Sequence, residues 1–366
     1  MELTLNLDKI QSDNVSKYAK TILDKQNPYK NFKIENYKYA QLHRDIRSEI
    51  LQRDIDISEL LKISKNISTF SSNPVDLASN LNQWKYKNDD SFFRVSSLLK
   101  RDTSSMNLDL IDDKNLFLDI SQINNNIHFL KSSKNEINLI IMNTKSKDEY
   151  PKSIFFDISN NSNLNVIHFN ISNFKSFLYF ESNLQDNSHL NFVSFQSDNI
   201  HTRNEFYASL NLECNFDLFG LNINNYGVND NYSFIQHLKP SSSSREIFKS
   251  IVEKGAITNF QGKIYVDSIA QKTDGYQMSR SLLLDDISKA NNKPELEIYA
   301  DDVKCSHGST VSKLDEDQIY YFKSRGIDSE MAKKMLKKAF IAEIIESVKD
   351  DNLRGYSNKI IESLLT

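Results

Sequence analysis

The middle of the chain, from about Leu116 to Cys305, consists of short apolar runs separated by polar clusters, and this pattern restricts the fold most. Apolar and polar residues alternate in several runs, as in Phe216–Phe219, which is the periodicity of a β-strand. The clearest runs are Leu116–Ile120, Ile137–Met142, Ile154–Ile158, Leu164–Phe169, Phe177–Phe180, Leu190–Phe195, Phe206–Leu212, Phe216–Ile223 and Lys263–Ile269. Almost no helical pattern interrupts them, so they predict a mainly β fold.

Short strands at close intervals fit a sandwich, a barrel or a β-solenoid. Glycine occurs only 8 times and proline 5 times, whereas asparagine and serine are abundant. Asparagine tolerates left-handed backbone geometry, so it can replace glycine in tight corners. The recurring Asn-rich corners and the length of this zone favour the solenoid, although no strict repeat period is visible.

Helical patterns flank the β-rich zone on both sides. Before it, Lys17–Lys25, Asn36–Leu51 and Ser58–Ile63 carry apolar residues without alternation, and Pro28 separates the first two segments. The sequence therefore predicts a helical region over 1–95, a β core over 96–312 and a second helical region over 313–366.

The C-terminal region has clear helix boundaries. Asp315–Asp317 places carboxylates in a first turn, Gly326 fits a helix stop, and Asp328 fits an N-cap. The helix that follows carries two apolar stripes, which is more than one packing face needs. The first stripe is Met331, Met335, Ala339, Ala342 and Ile345, and the second is Leu336, Phe340, Ile344 and Val348. Either the helix is buried within its own subdomain or one stripe contacts a partner protein.

Composition excludes several classes of protein. The net charge of −4 offers no basic surplus for nucleic acid, and no apolar run is long enough to span a bilayer. The first residues, Met1–Leu5, lack the basic and apolar parts of a signal peptide, so we expect a cytoplasmic location. Cys214 and Cys305 are the only cysteines, too few for a self-contained metal or cluster cage.

Three segments in the last third of the chain carry a specific resemblance. They are Ala270–Asp274 with Tyr276 and Gln277, then Pro294–Gly308 (PELEIYADDVKCSHG), then Asp317 and Gln318 with Tyr321 and Ser324–Ile327. Together they resemble the SufB/SufD family of iron–sulfur cluster assembly scaffolds. The form Cys305-Ser306-His307-Gly308 is similar to the D-type subunit, because the B-type subunit has a carboxylate where this chain has Gly308.

The resemblance implies a right-handed parallel β-helix core with helical ends. It also implies partners: a SufB-type subunit, and the ABC-type ATPase SufC docked on the C-terminal helices. In that case the stripe with Leu336, Phe340 and Ile344 contacts the ATPase. A homodimer of the chain is a further possibility that the sequence leaves open.

Cys305 and His307 are two residues apart, so on a strand they point to the same side. Thiolate and imidazole both bind iron, but two ligands cannot hold a cluster alone. The resemblance implies that His307, with Cys305 as a weaker candidate, helps form a nascent iron–sulfur cluster shared with the B-type partner. Without the family, a lone Cys-x-His pair is more often structural. Asp301 and Asp302 come just before Cys305 and His307. We predict that these two carboxylates lie in a solvated turn; the alternative is that they provide polar support for the site.

Other chemistry-bearing residues fit no active site. Cys214 lies in a stretch where apolar and polar residues alternate. We therefore predict that its side chain is buried and behaves as a small apolar group. His237 precedes a serine run, but no nucleophile elbow is present, and the run is typical of a loop. His43, His128, His168, His189 and His201 show no metal-ligand spacing, and no Walker A sequence occurs. We therefore predict a non-catalytic scaffold; the alternatives are a secreted-type polysaccharide-active β-helix enzyme and a purely structural interaction protein.

Overall fold

The computed structural model describes residues 58–67, 101–143, 151–171, 175–197 and 201–365. Short strands dominate these ranges. They are β1 (Lys65–Asn66), β2 (Thr103–Asn107), β3 (Asn115–Asp119), β4 (Asn126–Lys131), β5 (Ile137–Asn143), β6 (Lys152–Ile158), β7 (Asn163–Asn170), β8 (Lys175–Leu184), β9 (His189–Ser197), β10 (His201–Leu210), β11 (Asn215–Asn224), β12 (Val228–His237), β13 (Ser243–Val252), β14 (Ile257–Val266), β15 (Thr273–Leu283), β16 (Lys289–Ile298) and β17 (Val303–Lys313).

Consecutive strands alternate between two sheets. The odd-numbered strands form a nine-stranded sheet in the order β1 to β17, and the even-numbered strands form an eight-stranded sheet in the order β2 to β16. Neighbouring strands are parallel, as in β9 with β11 and β10 with β12. Each turn of the chain thus adds one strand to each sheet, which is the arrangement of a parallel β-solenoid. The predicted fold class is confirmed, whereas the right-handed sense of the coil stays a prediction.

Both faces of the nine-stranded sheet are buried from β3 to β13, and this explains the nearly continuous apolar runs there. In β3, Leu116 and Leu118 point into the coil and join the core between the two sheets. Phe117, between them, points outward and belongs to a second apolar cluster. The same alternation continues along the sheet, so that Leu139 packs inside and Ile140 outside.

A ladder of left-handed residues marks one corner of the coil. Each has positive φ, and each donates its backbone N–H to a carbonyl of the following turn. The ladder consists of Asn161, Asn187, Glu213, Ser241 and Lys272, with φ between 55 and 61°. The predicted use of asparagine in corners is met at the first two positions only. The hydrogen bond from one turn to the next fixes the geometry, so later turns place other residues there.

The sequence patterns locate the strands well but not all of them. Each of the nine predicted runs overlaps a strand, although Phe206–Leu212 extends beyond β10 and Lys263–Ile269 beyond β14. The serine run after His237 was predicted as a loop, and its second half is in fact the start of β13.

Helices occupy the ends of the described chain: α1 (Leu60–Ile63), α2 (Glu316–Ser324), α3 (Ser329–Glu346) and α4 (Asp351–Leu364). Asp328 caps α3, as predicted, by accepting the Met331 N–H at 2.9 Å. Asp315, predicted in the first turn of α2, is the N-cap of that helix. The helical segments predicted at Lys17–Lys25 and Asn36–Leu51 lie outside the described residues. None of the helices described is both long and apolar enough to cross a membrane.

α3 and α4 pack on the outer face of the nine-stranded sheet. Ile344 of α3 and Val348, two residues beyond its end, are fully buried in the same apolar cluster as Phe169 of β7 and Phe195 of β9. The ring of Tyr356 from α4 meets Phe169 edge-on at 6.1 Å between centroids. The C-terminal helices are therefore seated on the solenoid rather than projecting from it.

Candidate functional site

The predicted site residues lie on β17, the last strand of the nine-stranded sheet. Among the described residues β17 pairs on one side only, with β15, so its other edge is open. Most of its side chains are exposed, in contrast to the largely buried strands from β5 to β14. Cys305 and His307 do occupy one strand two positions apart, so the predicted shared orientation is met.

Cys305 is half-buried and points into the end of the coil. It packs beside Val303 against Ile264 and the small cluster around it. A Cβ added to Gly275, the strand neighbour of Cys305, would lie 3.2 Å from the Cys305 Sγ, so the glycine makes room for the thiol. Burial raises the pKa of this thiol despite an opposing backbone hydrogen bond from Gly275. Since the thiolate is the form that binds metal, Cys305 is a poor ligand until a metal displaces its proton.

His307 is exposed and ends a row of side chains that points into the coil. Residues in neighbouring turns stand beside one another along this row, about 4.8 Å apart as in any parallel sheet. From the first turns to the last, the row is Leu116, Leu139, Val166, Phe192, Leu218, Glu246, Gln277 and His307. The row is apolar as far as Leu218 and polar in its last positions. A polar path thus leads from the buried interior to the open end.

Gln277 is fully buried, and Glu246 and Gly262 form a seat for it, a space that fits its side-chain amide. Its Nε2 donates to the Glu246 Oε2 at 2.5 Å. Across the interior, a Cβ on Gly262 would come within 2.2 Å of the same Nε2, so only glycine leaves space for the Gln277 amide. The sequence did not predict a role for Glu246, Gln277 or Gly262.

Glu246 is fully buried between the sheets. Burial raises the pKa of its carboxyl to about 7, against the lowering effect of the hydrogen bond from Gln277. A carboxyl with this pKa is partly neutral near pH 7, so the polar end of the row holds little fixed charge.

The raised pKa of Glu246 predicts that the free energy of unfolding depends on pH. Folding favours the protonated carboxyl, so the native state loses stability as pH rises from about 4.5 to about 7. Above that pH range, ionisation of Glu246 lowers the free energy of unfolding by about 3 kcal/mol in total. We expect Glu246→Gln to be stabilising relative to the wild type by a margin that grows through this window, measured by urea unfolding at several pH values.

The control is Glu346→Gln, which removes an exposed carboxylate at the end of α3. Its stability difference from the wild type should stay nearly constant over the same range. A Glu246→Gln difference that is equally flat would contradict the assignment of a raised pKa to Glu246.

Asp301 and Asp302 lie exposed in the turn between β16 and β17. The Asp302 backbone N–H donates to the Gln271 Oε1 at 2.9 Å, and the Asp302 carbonyl accepts the N–H of Lys272 in the corner ladder. These contacts fix the turn that leads into β17. In the described part of the chain, no cluster of three or more His, Cys, Asp or Glu could hold a metal ion.

The remaining candidates are structural. Cys214 is fully buried, as predicted. His237 is also fully buried, with its ring nitrogens hydrogen-bonded to the hydroxyls of Ser242 at 2.6 Å and Ser244 at 2.9 Å. Burial lowers the pKa of His237 to about 3, so this residue stays neutral and enclosed. It cannot act on an external substrate, and His43 lies outside the described residues.

The stripe predicted to contact an ATPase mainly faces the solenoid. Ile344 is fully buried, and Leu336 and Phe340 are half-buried. Lys249 of β13 donates to the Phe340 carbonyl at 2.7 Å and lies 5.4 Å from the centre of its ring. The docking role of these residues stays a prediction, but Ile344 already has a structural role.

The other stripe of α3 begins with exposed apolar residues. Met331 is 51% exposed and Met335 is 41% exposed. Two tyrosines of α2 add to this surface, Tyr320 at 74% and Tyr321 at 58% exposure. These four residues are here called the α2–α3 surface.

Comparison with known proteins agrees with the resemblance seen in the last third of the chain. The family model described as "SUF system FeS cluster assembly, SufBD core domain" matches residues 125–340. This range includes the strands from β4 to β17 and most of α3. It therefore covers the β core, where the sequence alone offered only periodicity.

Individual relatives match shorter parts. The chain is 42% identical over 127 residues to "Iron-sulfur cluster assembly protein SufD" of Escherichia coli, covering 35% of this chain and 30% of that protein. It is 42% identical over 127 residues to "Protein ABCI7, chloroplastic" of Arabidopsis thaliana, covering 34% of this chain and 27% of that one. A Plasmodium berghei protein named "Iron-sulfur cluster assembly protein SufD" is 26% identical over 378 residues, covering 86% of this chain and 27% of its own length.

These alignments span less than a third of each relative. They nevertheless agree with the family model, whose matched range includes the Cys305–Gly308 motif on β17. The chain therefore belongs to the SufB/SufD family of iron–sulfur cluster assembly proteins and, within that family, to the SufD type.

Proposed function

We propose that the chain is a non-catalytic scaffold subunit that pairs with a SufB-type subunit and shares a nascent iron–sulfur cluster with it. The observation that carries this proposal is the position of His307. It is an exposed imidazole on the open edge of the last strand, with one half-buried thiol on the same side. The cluster is the cargo of such a complex and not a resident cofactor.

The chemistry of the site argues for a shared cluster. An iron–sulfur cluster commonly takes four protein ligands, and His307 with Cys305 supplies at most half of them. The open edges of β16 and β17 are the places where a second subunit would add its own ligands. A homodimer would use the same edges. Measuring the mass of the isolated chain in solution shows whether it pairs with itself in the absence of a SufB-type subunit.

The ATPase partner would dock on the C-terminal helices. Because Ile344 is buried, we place the contact on the α2–α3 surface, with the half-buried Leu336 and Phe340 at its border. Methionine and tyrosine suit such a contact, since both bury large apolar area and adapt to a partner. The cytoplasmic location stays a prediction.

Co-expression with the neighbouring SufB-type and SufC-type subunits tests this function. We expect one stable complex that contains all three chains and retains iron and sulfide after reconstitution. If the chain does not copurify with either subunit, and cluster assembly proceeds normally without it, the proposal fails. If the complex forms but His307→Ala leaves cluster formation intact in cells, the result favours the purely structural alternative.

A further inference from the structure

The amide of Gln277 has one satisfied end and one unsatisfied end. Its Nε2 donates to Glu246, whereas its Oε1 is buried and has no hydrogen-bond partner in the described part of the chain. A buried carbonyl oxygen without a donor is costly, so a donor that can reach it stabilises the fold. The free oxygen of Gln277 can therefore accept one further hydrogen bond.

Geometry identifies that donor. Gln277 of β15 and His307 of β17 are strand neighbours whose side chains point to the same side of the sheet. Glu246 lies on the opposite side of Gln277 and fixes the Nε2 end of the amide. With the Nε2 end held by Glu246, the Oε1 end can turn toward β17, where the imidazole of His307 carries an N–H.

The seat of Gln277 also limits its movement. Gly262 of β14 bounds the amide from the facing sheet, and the Glu246 carboxylate holds its Nε2. An amide fixed in this way can orient a flexible neighbour, whereas a solvent-exposed amide cannot. His307 is exposed, so it is the mobile member of the pair.

We propose that Gln277 is a positioning residue for His307: its Oε1 accepts an N–H from the imidazole, which fixes the tautomer and turns the other nitrogen toward the open edge. Ligating histidines generally have such a partner on the nitrogen that does not bind the metal. The inference rests on the proposed role of His307 as an iron ligand. It adds Gln277, Glu246 and Gly262 as the supporting residues.

Nitrogen-15 spectra of the histidine rings test the proposal on the full chain without iron. The His307 signals are identified by their loss in His307→Gln, and spectra are recorded at a pH where this ring is neutral. Between the wild type and Gln277→Leu, we expect the ratio of the two His307 tautomers to change about fivefold, as loss of one ordinary hydrogen bond predicts.

Gln236→Leu is the matched control. Gln236 is a buried glutamine of β12 whose Nε2 donates to Ser209 at 2.7 Å and whose Oε1 has no partner among the described residues. It shares the burial and the free oxygen of Gln277 but does not neighbour His307. Its replacement should leave the His307 tautomer ratio unchanged.

Gly262→Ala gives an independent variant if Gln277→Leu does not fold. The added methyl group displaces the Gln277 amide and should change the tautomer ratio in the same direction. An unchanged ratio in a folded Gln277→Leu or Gly262→Ala variant overturns the inference. The tautomer ratio is measured without a cluster, whereas the proposed function is tested by iron binding in the complex. Failure of the inference can therefore be distinguished from failure of the proposed function.

Discussion

Replacing Ile344 by aspartate should release α3 and α4 from the solenoid. The Ile344 side chain is fully buried against the outer face of the nine-stranded sheet. The substitution removes core packing and buries an unpaired charge, which together cost more than about 4 kcal/mol. We expect lower helicity by circular dichroism and rapid proteolysis after β17, with the β core still folded.

Met335→Asp is the matched control on the same helix. Met335 is 41% exposed, so the fold should lose no more than about 1 kcal/mol. Because Met335 belongs to the α2–α3 surface, binding of the ATPase subunit should weaken by about tenfold, which corresponds to 1.4 kcal/mol. Full stability of Ile344→Asp would contradict the burial of this stripe. Unchanged ATPase affinity of Met335→Asp would contradict the placement of the contact.

Mild acid should destabilise the chain through two enclosed histidines. His168 and His237 are fully buried, and burial lowers the pKa of each to about 3. His168 bonds to the Ser194 hydroxyl at 3.0 Å, and His237 bonds to two serines. Among the residues that the structure describes, neither ring has a carboxylate as a hydrogen-bond partner, so protonation inside the fold is unfavourable.

The direction of this effect follows from proton binding. The unfolded chain, where histidine has its ordinary pKa near 6.5, binds more protons than the native chain. Stability is therefore complete above about pH 6.5 and falls as pH drops toward 3. At pH 5 the loss is about 2 kcal/mol for each histidine.

Urea unfolding at pH 7.5 and pH 5 measures this loss. Glu246 acts in the opposite sense over the same range, so the wild type must be compared with His168→Gln/His237→Gln. Whatever its overall stability, this double variant should lose about 4 kcal/mol less than the wild type between the two pH values. An equal loss in both proteins would show that the buried histidines do not titrate on unfolding as described.

The strand pattern in the sequence predicted the fold where strands are apolar on both faces, as in β5 and β7. It failed where buried strands carry polar residues. The run at Phe206–Leu212 misses the first half of β10, because Arg203 and Glu205 suggest an exposed segment. Both are buried, and Arg203 forms ion pairs with Glu205 at 2.7 Å and Asp230 at 2.5 Å.

The sequence predicted the candidate ligands of the site but not the buried residues that stand beside them. Cys305 and His307 are close in sequence, and strand periodicity correctly placed them on one side of β17. Glu246 and Gln277 are on different turns, and only the register of the coil brings them into one row with His307. That register depends on the lengths of the intervening corners, which vary without a fixed period. No local motif records it.

Iron and acid-labile sulfide analysis of the purified complex tests the central claim most directly. The chain is co-expressed with SufB-type and SufC-type subunits as wild type, as His307→Ala, and as His189→Ala, a partly exposed control histidine on β9. We expect all complexes to assemble, and only His307→Ala to lose iron and sulfide, by about tenfold or more. A His307→Ala complex that carries as much iron and sulfide as the wild type would contradict a cluster ligated by this chain.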